Sequence, residues 1–225
     1  MTTSRGDDID TPLFIAIEGL DGSGSTTQTD QLVSRLREDG LAAVATREPS
    51  DGPIGSLIRQ MLSGRLVQPA PDGGTTHVGR ETLALLFAAD RLDHLESAVK
   101  PALTAGRHVV TDRYYHSSYA YQGDPGDEQP LDLQWVRTLN ERARTPDVTF
   151  FLEADVDLCL DRLAERGSRD IYENRERLTE LRDQYLQVID TLDEEGERIV
   201  RLDADRPRGA ITDEIVETTM DLIGS

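Results

Sequence analysis

The sequence predicts an α/β fold in which a mostly parallel, five-stranded sheet is layered between helices. Three observations carry this. Short apolar runs alternate with helical patterns along the chain, and the first run ends in a glycine-rich turn. At 225 residues with 37% hydrophobic content, the chain suits one compact domain with a real core.

The first twelve residues, MTTSRGDDIDTP, are polar and acidic, which predicts a disordered tail over 1–12 ahead of a single domain over 13–225. They lack the apolar segment of a secretory signal. LFIAIEG (13–19) predicts a buried strand, and Leu32, Val33 and Leu36 then mark a helical face. Further strands are expected over 42–46, 108–112, 147–154 and 197–204. Helices are expected near 79–100, 132–144, 156–165, 173–194 and 208–223. In the last, Ile211, Ile215, Val216, Met220 and Ile223 share one face. This alternation implies right-handed βαβ units and ligands bound beyond the carboxyl ends of the strands. The segment QPAPDGGTTHVG (68–79) reads as an exposed loop, and no internal repeat or interdomain linker is visible.

Charge excludes several functions. Asp and Glu number 43 against 24 Lys and Arg, a formal net charge of −19. Such a field repels nucleic acid and anionic membranes. Lys100 is the single lysine among the basic residues. A GC-rich genome exchanges lysine for arginine but does not explain the acid excess. An ordinary acidic protein is the plain alternative; the expectation is adaptation to molar salt, of a haloarchaeal kind, where cations screen carboxylate repulsion and a highly charged surface keeps the protein soluble. No run is long and apolar enough to cross a membrane as a helix, and the lone Cys159 cannot form an internal disulfide, so a cytoplasmic protein is expected.

After the first strand comes GLDGSGSTTQ (19–28). The phosphate-loop pattern is Gly, four residues, Gly, Lys, then Ser or Thr. Gly19 and Gly24 have that spacing and Thr26 fills the hydroxyl position, but Ser25 stands where lysine should be. Glycines let backbone N–H groups curl around a phosphate at a helix N-terminus, and a hydroxyl at 26 suits Mg²⁺. Asp21, Gly22, Ser23, Gly24, Ser25, Thr26 and Thr27 are the candidate ATP-binding residues. Without the lysine, arginines or the metal must neutralise more of the phosphate charge. A glycine-rich turn with no ligand remains the plain alternative.

Three further segments stand in order: TREPSDGPIG (46–55), LLFAADRLDH (85–94) and TDRYYHSSYAYQG (111–123). An arginine at a strand end, such as Arg47, can grip a phosphate with two parallel N–H bonds. Phe87 and Arg91 are four apart and share a helix face, where a ring stacks on a base and a guanidinium donates to a carbonyl. In isolation a core aromatic and a carboxylate-paired arginine are the commoner explanation of this pair.

With the phosphate loop, these segments resemble thymidylate kinases from about residue 13 to about residue 207. The resemblance implies a P-loop NTPase-type three-layer α/β/α fold with a small lid near 162–173, and transfer of a phosphoryl group from ATP to dTMP with Mg²⁺. It implies that Arg47 and Glu48 lie at the acceptor phosphate and that Phe87 and Arg91 receive the thymine. Ser117, Ser118, Tyr121 and Gln122 would line the base and sugar, with Tyr121 leaving no room for a 2′-hydroxyl. Asp112 and Arg113 would stand at the reaction centre. The phosphate loop has no arginine, so the lid arginines Arg166 and Arg169 would be catalytic. Asp21, Tyr172 and Glu173 would sit by the metal and acceptor, Asp21 and Glu173 joining Thr26 as metal ligands. Family members are usually homodimers. The missing lysine keeps a rival open, a nucleotide-binding protein with weak or no kinase activity, as is a kinase for another pyrimidine deoxynucleotide.

Overall fold

The computed structural model describes residues 11–71, 73–123, 131–165 and 175–224. Most of the tail expected over 1–12 and most of the lid expected over 162–173 therefore lie outside the described residues. The elements, in chain order, are β1 (Phe14–Gly19), α1 (Ser25–Glu38), β2 (Ala43–Arg47), α2 (Pro53–Leu62), β3 (Gln68–Pro69), β4 (Thr75–Thr76), α3 (Arg80–His94), α4 (Lys100–Thr104), β5 (His108–Asp112), α5 (Tyr115–Gln122), α6 (Leu133–Asn140), β6 (Val148–Glu153), α7 (Val156–Glu165), α8 (Arg175–Glu194), β7 (Ile199–Asp203) and α9 (Arg208–Ile223).

Five strands form one parallel sheet in the order β2-β5-β1-β6-β7. Alternation along β1 divides the core into two faces. Ile15 and Ile17 join Leu32, Leu36, Leu152 and Ile215 on one, and Phe14 and Ala16 join Val99, Val109 and Val136 on the other. Register then sets the site. Ile17 of β1 and Arg47 of β2 both pair with Asp112 of β5. Three motifs distant in sequence therefore end at one sheet edge, where such folds bind ligands.

All five predicted strands form, with bounds shifted by a residue or two. The helix expected over 79–100 is interrupted: a π-helical turn, Leu95–Val99, separates α3 from α4. Pro101 lacks the N–H that would close on the Ser97 carbonyl, and its ring crowds that carbonyl; a wider turn just before it relieves both. Two helices were not expected. α2 starts on Pro53 and carries Ile54, Leu57, Ile58, Met61 and Leu62 at helical spacing, so its signal was present in the sequence. α5 had no such signal, because Tyr115, His116, Ser118, Tyr119 and Ala120 are buried on several sides and leave no polar face. The exposed loop at 68–79 contains the two-residue strands β3 and β4, paired antiparallel.

Candidate active site

The phosphate loop needs its glycines. Gly22 has φ 89° and Gly24 φ 108°, and a Cβ on Gly22 would meet the Cys159 carbonyl oxygen at 2.6 Å. Gly24 precedes the first turn of α1, so the amides of Ser25, Thr26 and Thr27 head the helix, as an anion requires. The Ser23 hydroxyl is buried with no partner among the described residues. Ser25 is buried and carries no charge.

Asp112 and Arg113 join this loop to the rest of the site. Thr26 Oγ1 donates to Asp112 Oδ2 at 2.5 Å, while Asp112 Oδ1 is buried without a partner among the described residues. A hydroxyl beside a carboxylate oxygen with spare acceptor capacity fits Mg²⁺, which favours one or two carboxylates plus substrate phosphates. Arg113 holds φ 70°, a left-handed conformation rare for a side chain of its size. Its Nη2 donates to Asp21 Oδ1 at 2.7 Å, its Nη1 to Ser117 Oγ at 3.0 Å, and its guanidinium lies 5.2 Å from the centre of the Tyr121 ring. Asp21 thus meets Arg113 rather than Thr26.

Beneath this turn lies a polar network that sequence reasoning missed. Glu18, at the end of β1, is fully buried. Its Oε1 accepts from the Tyr114 amide at 2.7 Å, and its Oε2 accepts from Ser117 Oγ at 2.8 Å and the Tyr185 hydroxyl at 2.5 Å. His116 Nδ1 lies 3.4 Å from Glu18 Oε1, and its Nε2 lies 3.1 Å from Glu197 Oε2. Burial alone would lower the imidazole pKa, but the carboxylates of Glu18 and Glu197 outweigh it and hold it above its ordinary value. Burial would likewise raise Glu18, yet His116, Arg113 and the Tyr185 hydroxyl hold it below.

This pair makes stability depend on pH from both sides. With its folded pKa raised above 6.5, His116 contributes fully below that pH and loses its contribution as pH rises through the folded value. With its folded pKa lowered beneath 4.5, Glu18 contributes fully above that pH and loses its contribution as pH falls through the folded value. Thermal midpoints should therefore decline on the alkaline side, and His116→Gln should flatten that decline. An undiminished alkaline decline in the variant would remove His116 from the explanation.

Beside the phosphate loop opens a cavity of about 630 Å³ lined by Asp21, Arg47, Glu48, Arg59, Arg80, Phe87, Arg91, Asp112, Arg113, Ser117, Ser118, Tyr121 and Gln122, among others. Its size suits a small ligand. Every acceptor residue expected from the sequence lies on this wall except Tyr172, which, with Arg166, Arg169 and Glu173, lies outside the described residues. Arg47 is half-exposed and held by Asp51, its Nη2 donating to Oδ1 at 2.6 Å. Arg91 is 1% exposed and engaged: Nε donates to Glu48 Oε2 at 2.8 Å, Nη2 to Ser118 Oγ at 3.0 Å, and Nη1 to Asn140 Oδ1. Arg91 therefore lines the cavity and is paired with the Glu48 carboxylate at the same time. The Gln122 Oε1 atom is buried and has no partner among the described residues.

Sequence reasoning missed Arg59, Arg80 and Asp90. Arg59 brings a second cation to the cavity beside Arg47 and donates to the carbonyls of Pro49 and Ser50 at 2.7 and 2.5 Å. Buried Asp90 accepts from the Ser50 amide at 2.7 Å and hydroxyl at 2.6 Å, fixing the loop after Arg47. α2 packs so close to that loop that a Cβ on Gly55 would fall 2.1 Å from the Ser50 carbonyl oxygen.

A phosphate in the glycine loop and an anion in the cavity would both approach Arg113, and this arrangement defines a P-loop nucleotide kinase. A family model described as thymidylate kinase matches residues 17–215. The chain belongs to the thymidylate kinase family. It is 39% identical over 214 residues to the thymidylate kinase of Halothermothrix orenii, covering 90% of this chain and 94% of that one. It is 37% identical over 183 residues to a probable thymidylate kinase of Thermococcus kodakarensis, with 81% and 86% covered. To the thymidylate kinase of an Exiguobacterium species it is 36% identical over 212 residues, with 93% and 94% covered.

Proposed function

We propose that the chain transfers the γ-phosphoryl group of ATP to dTMP, giving dTDP and ADP. The observation that carries this is the Asp112–Arg113 turn, which touches the phosphate loop through Thr26 and Asp21 and lines the acceptor cavity. An oxygen of the acceptor phosphate attacks the γ-phosphorus, the β–γ bridging P–O bond breaks, and its electron pair leaves with ADP. The protein supplies position and positive charge. Thr26 and Asp112 would hold Mg²⁺, which when bound supplies positive charge to the phosphate oxygens. Arg47 and Arg59 offer guanidinium groups to the acceptor phosphate, Phe87 offers a ring to the base, and Arg113 stands between the two substrates. The lid arginines Arg166 and Arg169, with Tyr172 and Glu173, complete the reading from outside the described residues.

The same reading extends to the surroundings. The net charge of −19 argues for activity in molar salt inside a cell and against nucleic-acid or membrane binding. Among the described residues, no helix is long and apolar enough to cross a membrane. Leu85 and Leu92, seven apart on α3, are 51% and 38% exposed and form an apolar stripe suited to a second copy of the chain.

ADP release from Mg·ATP, with dTMP, dUMP or deoxynucleosides as acceptor, tests the proposal in molar KCl and in low salt. Turnover that requires dTMP and high salt is the expected result. The buried, uncharged Ser25 favours one rival, a nucleotide-binding protein without useful catalysis. Tight nucleotide binding by a folded protein with no turnover in either buffer would favour it.

A further inference from the structure

The phosphate loop lacks its own cation, yet a guanidinium reaches it from α7. Arg162 Nη1 donates to the Ser23 carbonyl at 2.9 Å and the Gly22 carbonyl at 3.2 Å, and Nη2 donates to the Ala204 carbonyl, just beyond β7, at 3.2 Å. These acceptors are neutral, and Arg162 forms no ion pair among the described residues. A Cβ placed on Gly24 would lie 4.0 Å from Nη1, so the charge sits against the loop itself.

We infer that Arg162 is a positioning residue that substitutes in part for the missing lysine at 25 by acting through the loop's peptide groups. A carbonyl that accepts from a cation is polarised, and the N–H at the other end of the same peptide becomes a stronger donor. The Ser23 carbonyl shares its peptide with the Gly24 N–H, at the head of α1, where an anion binds. The Gly22 carbonyl shares its peptide with the Ser23 N–H, which donates to the Leu20 carbonyl at 3.0 Å and closes the loop. Arg162 therefore strengthens the anion-binding amides, holds the loop's curvature, and adds positive potential without occupying the space that a lysine at 25 would fill. A guanidinium suits this because its fork reaches three carbonyls and it keeps its charge at every working pH.

The inference rests on the kinase reading, and equilibrium binding separates the two, because Mg·ADP affinity is measurable whether or not the protein turns over. Titration calorimetry of Mg·ADP and of dTMP in molar KCl is the test. Arg162→Ala should weaken Mg·ADP by about 10- to 100-fold, somewhat less than removal of a donor that touches the phosphate directly, with dTMP affinity unchanged. In the Ser25→Lys background the same substitution should cost less than about threefold, because the two cations serve one purpose and their effects couple. Arg162→Lys should retain most of the affinity and Arg162→Gln lose it; both remain informative should the alanine variant not fold. Equal losses with and without Lys at 25, or lysine and glutamine variants equally impaired, would reduce Arg162 to a brace of the fold and overturn the inference, as would unchanged Mg·ADP affinity.

Discussion

Arg113→Ala is expected to lower dTMP-dependent turnover by about 10²- to 10³-fold, the scale for removing one donor that stabilises developing charge. Arg113 links the phosphate loop to the cavity wall. One arm reaches Asp21 of the phosphate loop, the other reaches Ser117, and the Tyr121 ring lies beneath. The chain holds it at φ 70°, a conformation that persists because Glu18 grips the following residue's amide. The loss should fall on kcat, with a smaller change in the KM for ATP, because the phosphate-loop amides are untouched. Arg113→Lys should recover little, since one ammonium cannot span Asp21 and Ser117 as a planar fork does. A kcat within tenfold of wild type in the alanine variant, measured by steady-state ADP release, would move the reaction centre elsewhere.

Arg91→Ala is expected to destabilise the fold by about 3–5 kcal/mol, the range for breaking a buried ion pair by removing one partner. At roughly 2–4 °C per kcal/mol for a domain of this size, the thermal midpoint should fall by about 6–20 °C. Arg91 and Glu48 are both nearly inaccessible, and His94 completes the cluster with Nδ1 at 3.1 Å from Glu48 Oε1 and Nε2 at 2.6 Å from Thr46 Oγ1. Truncating Arg91 strands a buried carboxylate and leaves Asn140 and Ser118 without their donor. Adding Glu48→Gln should restore part of the loss, because it removes the stranded charge. A midpoint within about 2 °C of wild type for the single variant would mean that water replaces the guanidinium, making the cluster less dry than its geometry indicates.

The strands, and the motifs at their ends, were legible in the sequence because the signals are local. LFIAIEG reads as a buried strand from its composition, and glycine spacing after it defines the phosphate loop. α2 was legible too, through Pro53 and its apolar spacing. α5 was not, because a helix buried on several sides carries no amphipathic period. The cavity wall was legible only through resemblance: periodicity places Phe87 and Arg91 on one helix face but does not say what that face meets.

By itself, then, the sequence determined the parallel α/β layering, the glycine loop with serine at 25, the acidic surface and the order of the motifs. Tertiary structure alone decided which charges meet. It placed His116 between Glu18 and Glu197, Asp90 on Ser50, Arg91 between Glu48 and Asn140, and Arg162 on the phosphate-loop carbonyls. The physical reason is range. Backbone preference and hydrophobic period act over a few residues, whereas a buried polar group takes its partner from whatever chain the packing brings near. The partners just named lie 40 to 140 residues apart along the chain.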